Sequence, residues 1–85
     1  MSDALDEIQR LAKWWRIRLS RHAITRMAER EVERTDVRHA LLTAKVASWH
    51  ADRVCWRVSG GFDLDGDDLV VVVAIEDDLL IITVF

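Results

Sequence analysis

The stretch SRHAITRMAER, Ser20 to Arg30, sets His22, Arg26 and Arg30 at steps of four residues. On a helix, such positions differ by about 40° per step, so the three side chains form one slanting polar row. A histidine titrates near working pH, about 6.5 when unperturbed, and serves as acid or base. An arginine fork matches a phosphate with two parallel hydrogen bonds. Ser20 stands where the helix would begin, and free backbone N–H groups there favour an anion. Cleavage of RNA by transesterification needs this set: a base for the 2′-hydroxyl, an acid for the departing 5′-oxygen, and cations for the charge on phosphorus. The same spacing also suits the solvated flank of an ordinary helix, with Glu29, Glu31 and Glu33 as ion-pair partners.

Two further residues could join such a site. Arg57 falls in mid-strand between Cys55 and Ser59, so it lies on a solvated sheet face or is aimed at a partner. Thr83 shares a predicted strand face with Ile81 and Phe85, where a β-branched residue is also ordinary. The run DLDGDD, Asp63 to Asp68, has the carboxylates and glycine of a calcium loop but the wrong register, and reads better as an acidic hairpin tip. His39 and His50 have no histidine or cysteine at ligand spacing and read as surface or rim residues, so no metal site is expected. The lone Cys55, inside an alternating pattern, reads as a small buried hydrophobe in a reducing compartment.

These residues must be positioned by short elements. Ala4 to Trp15 carries apolar residues at three- and four-residue spacing, an amphipathic helix with acids near its start and bases near its end. WRIRLS alternates and predicts a strand. Ser20 caps a second helix with an apolar stripe of Ala23, Ile24, Met27 and Ala28, ending near Arg30; a third runs from about Thr35 to Ala44. Beyond Lys45 the period changes to two: KVASWHA, RVCWRVSG with Val54, Trp56 and Val58 on one face, DLVVVVAI as a central strand, and LLIITVF. The expected fold is α+β, an antiparallel sheet of four to five strands with two to three N-terminal helices packed on one side.

Eighty-five residues, 51% hydrophobic and 32% charged without proline, make one soluble globular domain rather than a disordered chain. No apolar run is long enough to span a membrane, and the acidic first residues do not read as a secretory signal, so a cytoplasmic location is expected. The net charge of −3 is unevenly spread: all 12 bases lie in residues 1–60 and the last 25 residues hold 7 acids and no base. A basic front with an acidic back fits a polyanion on one face. Four tryptophans, Trp14, Trp15, Trp49 and Trp56, suit a self-association surface or stacking on bases.

SRHAITRMAER, followed by VERTDVRHALLTA and closing on LLIITVF, resembles the bacterial domain-of-unknown-function 4258 family over about residues 16–85, with residues 1–15 as an N-terminal addition. That family is similar to RelE, barnase and colicin-type ribonucleases. The resemblance implies a RelE-like fold and a metal-independent endoribonuclease without cofactor, a toxin-like component paired with a small antitoxin and acting on RNA, including ribosome-bound mRNA. It implies His22 as acid or base, Arg26, Arg57 and Thr83 as further catalytic residues, and Arg30 with Ser20 at the phosphate. Where the family has a glycine after the second arginine, this chain has Glu31, which adds negative charge beside the proposed site. The other reading is a catalytically silent module that dimerises or binds a protein through its tryptophan-rich surface. The enzyme reading requires Arg57 and His22 to meet in one cleft, and their placement on opposite sides of the sheet would defeat it.

Overall fold

A computed structural model describes residues 3–85, so the first two residues of the N-terminal helix region lie outside the described residues. Helix α1, Asp3–Lys13, buries Ile8, Leu11 and Ala12 and ends two residues before the sequence pattern suggests. The Trp15 N–H donates to Ala12 O (3.1 Å) and the Arg16 N–H to Leu11 O (2.9 Å), with Trp15 itself left-handed at φ 59°. This paired closure satisfies two terminal carbonyls and reverses the chain. Trp15 is therefore not part of the helical apolar stripe: it lies past the helix, 44% exposed, with the Arg38 guanidinium 4.6 Å from its ring.

Strand β1, Ile17–Leu19, leads through the Ser20 cap into α2, Arg21–Arg30, and then α3, Arg34–Thr43. Ser20 Oγ accepts from the Ala23 N–H at 3.0 Å, as the sequence suggested. Ala23 and Met27 are buried, but Ile24 is exposed, because α2 leans on the sheet along a narrower stripe than its apolar residues would allow. The α2–α3 turn repeats the closure seen after α1, with Glu31 at φ 56° and no glycine. The Asp36 carboxylate accepts from the Glu33 N–H at 2.9 Å and so helps close the α3 N-terminus.

The remaining strands are β2, Val46–His50; β3, Cys55–Ser59; β4, Val71–Ile75; and β5, Leu79–Val84. They form one sheet in the order β1-β5-β4-β3-β2. The four C-terminal strands are antiparallel, as expected, whereas β1 adds to β5 in parallel, which makes the sheet mixed. Val54 does not continue the alternation of β3: it sits in the preceding turn at φ 51° and is exposed. Sheet residues Ile17, Val58, Val71, Val73, Leu79, Ile81 and Val84 form one core cluster with the buried faces of all three helices.

Polar contacts tie the helices to each other and to the sheet. Arg38 donates to Ala12 O and Lys13 O at 3.0 Å each, supplying donors to the C-terminal carbonyls of α1. Arg34 donates to Ile17 O at 3.0 Å, and Gln9 reaches the carbonyls of Leu41, Leu42 and Ala44 at the end of α3. The parallel β1–β5 pairing also brings Arg16 and Arg18 onto the acidic turn Glu76 to Asp78, forming Arg16–Asp78 and Arg18–Glu76 ion pairs. Charges separated along the sequence thus meet in space, and the basic front is partly neutralised.

Candidate functional site: the open face of the sheet

The sheet face away from the helices carries a cleft of about 350 Å³ lined by His50, Arg53, Cys55, Arg57, Val72, Ile82, Thr83 and Phe85. Its floor follows from strand register. Ser48 pairs with Arg57, Arg57 with Val72, and Val72 with Thr83, so one cross-strand row runs from β2 to β5. Residues two apart on a strand share a face, which adds His50 beside Ser48 and Cys55 beside Arg57.

Strict alternation would put Ile81 with Thr83, but a β-bulge intervenes. The β4–β5 register shifts between Val72 and Val73, so Val73 faces Ile81 and Val72 faces Thr83, leaving Ile82 as the extra residue. An inserted residue turns two neighbours toward the same side. Ile81 consequently lies fully in the core, while Ile82 and Thr83 both line the cleft. Thr83 shares its face with Phe85, as expected, but not with Ile81.

Helix α2 docks where β1 ends. The Ser20 N–H donates to Ile81 O (3.0 Å) and the Ser20 hydroxyl to Ile82 O (2.9 Å). Farther along, Arg26 Nε donates to Val84 O at 3.4 Å. This brings the Arg26 guanidinium carbon to 6.0 Å from the centroid of the Phe85 ring, and Arg57 from β3 stands 5.4 Å from the same centroid. The structure therefore brings Arg26, Arg57 and Thr83 together around Phe85.

The other expected site residues lie farther out. His22 is exposed on α2, one turn before Arg26, and does not line the cleft, so the expected meeting of His22 with Arg57 in one cleft is not found. Arg26 is the member of the row that approaches Arg57. Arg30, at the far end of α2, donates to Asp68 O at 3.3 Å. Both the acceptor and donor capacity of the Ser20 hydroxyl are used within the protein.

Electrostatically the cleft is one-signed. Its lining holds two arginines and a histidine and no acidic side chain. Among the described residues, Arg53 and Arg57 form no ion pair, in contrast to Arg16 and Arg18. Arg26 is partly engaged by Glu29 at 3.7 Å. Two unpaired guanidiniums beside an imidazole and a hydroxyl are donors of the kind from which a phosphate or another oxyanion can accept.

Sequence spacing missed His50 and Arg53. They sit at the β2 end and in the β2–β3 turn, and only strand register carries them into the cleft. His39, by contrast, packs edge-on against Phe62 with centroids 5.4 Å apart. In the DLDGDD loop, buried Asp63 accepts from the N–H groups of Asp65 and Asp67 at 2.9 Å each, Gly66 takes φ 88°, and the Leu64 N–H donates to the Asp36 carboxylate of α3 at 3.1 Å. Among the described residues, no group of three or more His, Cys, Asp or Glu could hold a metal ion, and no helix is long and apolar enough to cross a membrane.

A family model described as Domain of unknown function (DUF4258) matches residues 19–85, from the end of β1 through β5. The chain belongs to this family. The cleft, α2 and the bulged β5 all lie within the DUF4258 segment, whereas α1 lies before it yet contributes Ile8, Leu11 and Ala12 to the shared core. Neither the comparison with curated proteins nor that with solved structures found a match.

Proposed function

We propose that this DUF4258 protein is an endoribonuclease of RelE-like type, the toxin-like member of a pair with a small antitoxin protein. The observation that carries the reading is the meeting of Arg57, Thr83 and Arg26 around Phe85, beside a cleft without an acidic side chain. A scissile phosphate seated there would have its non-bridging oxygens against the guanidiniums, which offset the charge that grows in the transition state. The Thr83 hydroxyl would donate to one of those oxygens. His22, one turn from Arg26 but outside the cleft lining, would move a proton at the 2′-hydroxyl or the 5′-oxygen only for a strand that extends past Phe85 toward α2. The attacking 2′-oxygen forms its bond to phosphorus as the P–O5′ bond breaks, leaving a 2′,3′-cyclic phosphate and a 5′-hydroxyl.

The test is incubation of the purified protein and of His22→Ala with RNA, both free and in a translating mixture. Fragments ending in cyclic phosphate from the wild type, with a loss of about 10²-fold or more in the variant, are expected for an acid–base residue. Intact RNA in both settings would refute the reading.

A second reading is favoured by a separate observation. Trp49 and Trp56 pack with their rings tilted by 53° and centroids 5.0 Å apart and, with Val54 and Ile75, line a shallow hollow of about 620 Å³ near the free β2 edge. Trp14 is also 67% exposed. A non-catalytic module that dimerises or binds a protein partner would use such surfaces. Loss of the cellular effect on Trp49→Ala or Trp14→Ala, but not on Arg57→Ala, would favour the module.

A further inference from the structure

We infer that His50 is a second catalytic acid–base residue of the cleft, acting on the same phosphodiester as Arg57. The inference rests on the ribonuclease reading but goes beyond the residues that the family pattern indicates. Four features of the fold carry it.

The first is register. Arg57 pairs directly with Ser48, so His50, two residues farther along β2, is its diagonal cross-strand neighbour on the same face. Such neighbours stand about 7–8 Å apart, within reach of long and aromatic side chains. An imidazole and a guanidinium at that separation can bracket one phosphate group.

Location is the second. His50 lines the cleft and His22 does not. A group that transfers a proton must come within hydrogen-bond reach of the reacting oxygen, so the histidine on the cleft wall has the more direct access.

The third is topology. In-line displacement needs base and acid on opposite sides of phosphorus, because the nucleophile enters opposite the leaving oxygen. His50 is on edge strand β2, and α2 docks on β5, with β3 and β4 between them. The Arg57–Val72–Thr83 row has its Arg57 end beside β2 and its Thr83 end on β5, the strand on which α2 docks. One histidine can take the 2′-hydroxyl proton while the other delivers a proton to the 5′-oxygen; the net proton count balances, and exchange with water returns each imidazole to its starting state before the next turnover.

The fourth is the surroundings. The charged and titratable groups lining the cleft with His50 are Arg53, Arg57 and Cys55, and Asp52 lies in the adjoining turn. Cys55 is buried and is the direct register partner of His50. Among the described residues, His50 forms no ion pair that would hold its ring away from a substrate.

The test compares wild type, His50→Gln and Cys55→Ser on a short RNA substrate across pH, with folding of each variant checked by its thermal transition. His50 is an exposed edge-strand residue, so His50→Gln should fold as the wild type does. The expected result is a fall in kcat of about 10²-fold or more with little change in KM, and loss of one limb of the bell-shaped pH–rate profile. Cys55→Ser should keep both limbs, which excludes the thiol as the titrating group. Wild-type cleavage with His50→Gln retaining its rate and both limbs would overturn the assignment of His50 alone. No cleavage by the wild type would overturn the ribonuclease reading and the His50 assignment with it.

Discussion

Arg26 of α2 and Arg57 of β3 stand over one ring, with guanidinium carbons 6.0 and 5.4 Å from the centroid of Phe85. Two residues 31 positions apart in sequence are thus held at one place by an aromatic side chain and by the Arg26 bond to Val84 O. Replacing Phe85 with leucine keeps apolar bulk and removes the π face. Each exposed cation–π contact is worth about 0.5–1 kcal/mol, so loss of the positioning of one arginine in Phe85→Leu should weaken oligonucleotide affinity about two- to fivefold. Binding titration beside a thermal melt checks this; a large drop in melting temperature with unchanged affinity would make the ring a purely structural residue.

Salt dependence separates free arginines from paired ones. Arg57→Ala and Arg53→Ala should each lower the slope of log affinity against log salt by about one phosphate contact. Arg18→Ala should leave the slope unchanged, because Arg18 is already paired with Glu76. Equal slopes for all three variants would mean that the cleft is not where the polyanion binds.

Ser20 is doubly engaged, and its loss should be felt in stability. Ser20→Ala removes the acceptor for the Ala23 N–H and the donor to Ile82 O. A lost N-cap costs about 0.5–2 kcal/mol, and the second bond adds to it. Urea denaturation should show a lower midpoint at constant m; an unchanged midpoint would remove Ser20 from the set of docking contacts.

Glu31 offers the opposite change. It holds φ 56° after α2 without the freedom of glycine. Left-handed backbone costs an ordinary L-residue about 1–2 kcal/mol, so Glu31→Gly should raise stability by about 1 kcal/mol. A lower denaturation midpoint would show that the glutamate side chain makes a compensating contribution.

In the acidic loop, the Asp63 carboxylate serves as a backbone acceptor. Asp63→Ala strips two backbone N–H groups of their acceptor and should cost about 1–3 kcal/mol. Millimolar calcium should leave the wild-type melting temperature where it is; a rise on adding calcium would contradict this assignment.

Periodicity made much of the fold legible. The change from 3.6 to 2 after Lys45, the Ser20 cap and the apolar DLVVVVAI run correspond to α2, α3 and the four C-terminal strands. Pattern alone could not reveal non-local pairing. The parallel addition of β1 to β5 joins Ile17 to Leu79, and nothing in either segment specifies that partner. The Ile82 bulge is equally silent, since LLIITVF alternates no differently with or without it, yet the bulge decides that Thr83 and not Ile81 reaches the cleft. Both helix closures lack glycine, so Trp15 and Glu31 gave no stop signal. At the candidate site, residue type identified Arg26, Arg57 and Thr83, whereas His50 and Arg53 emerged only from the β2–β3 register.

The most direct measurement is induced expression of the wild type and of Arg57→Ala in a bacterial host, with growth followed and new RNA 5′-hydroxyl ends mapped. Growth arrest with such ends from the wild type alone, at equal levels of folded protein, is the predicted result. Arrest by both proteins, or intact RNA during arrest by the wild type, would contradict cleavage at the Arg57 cleft.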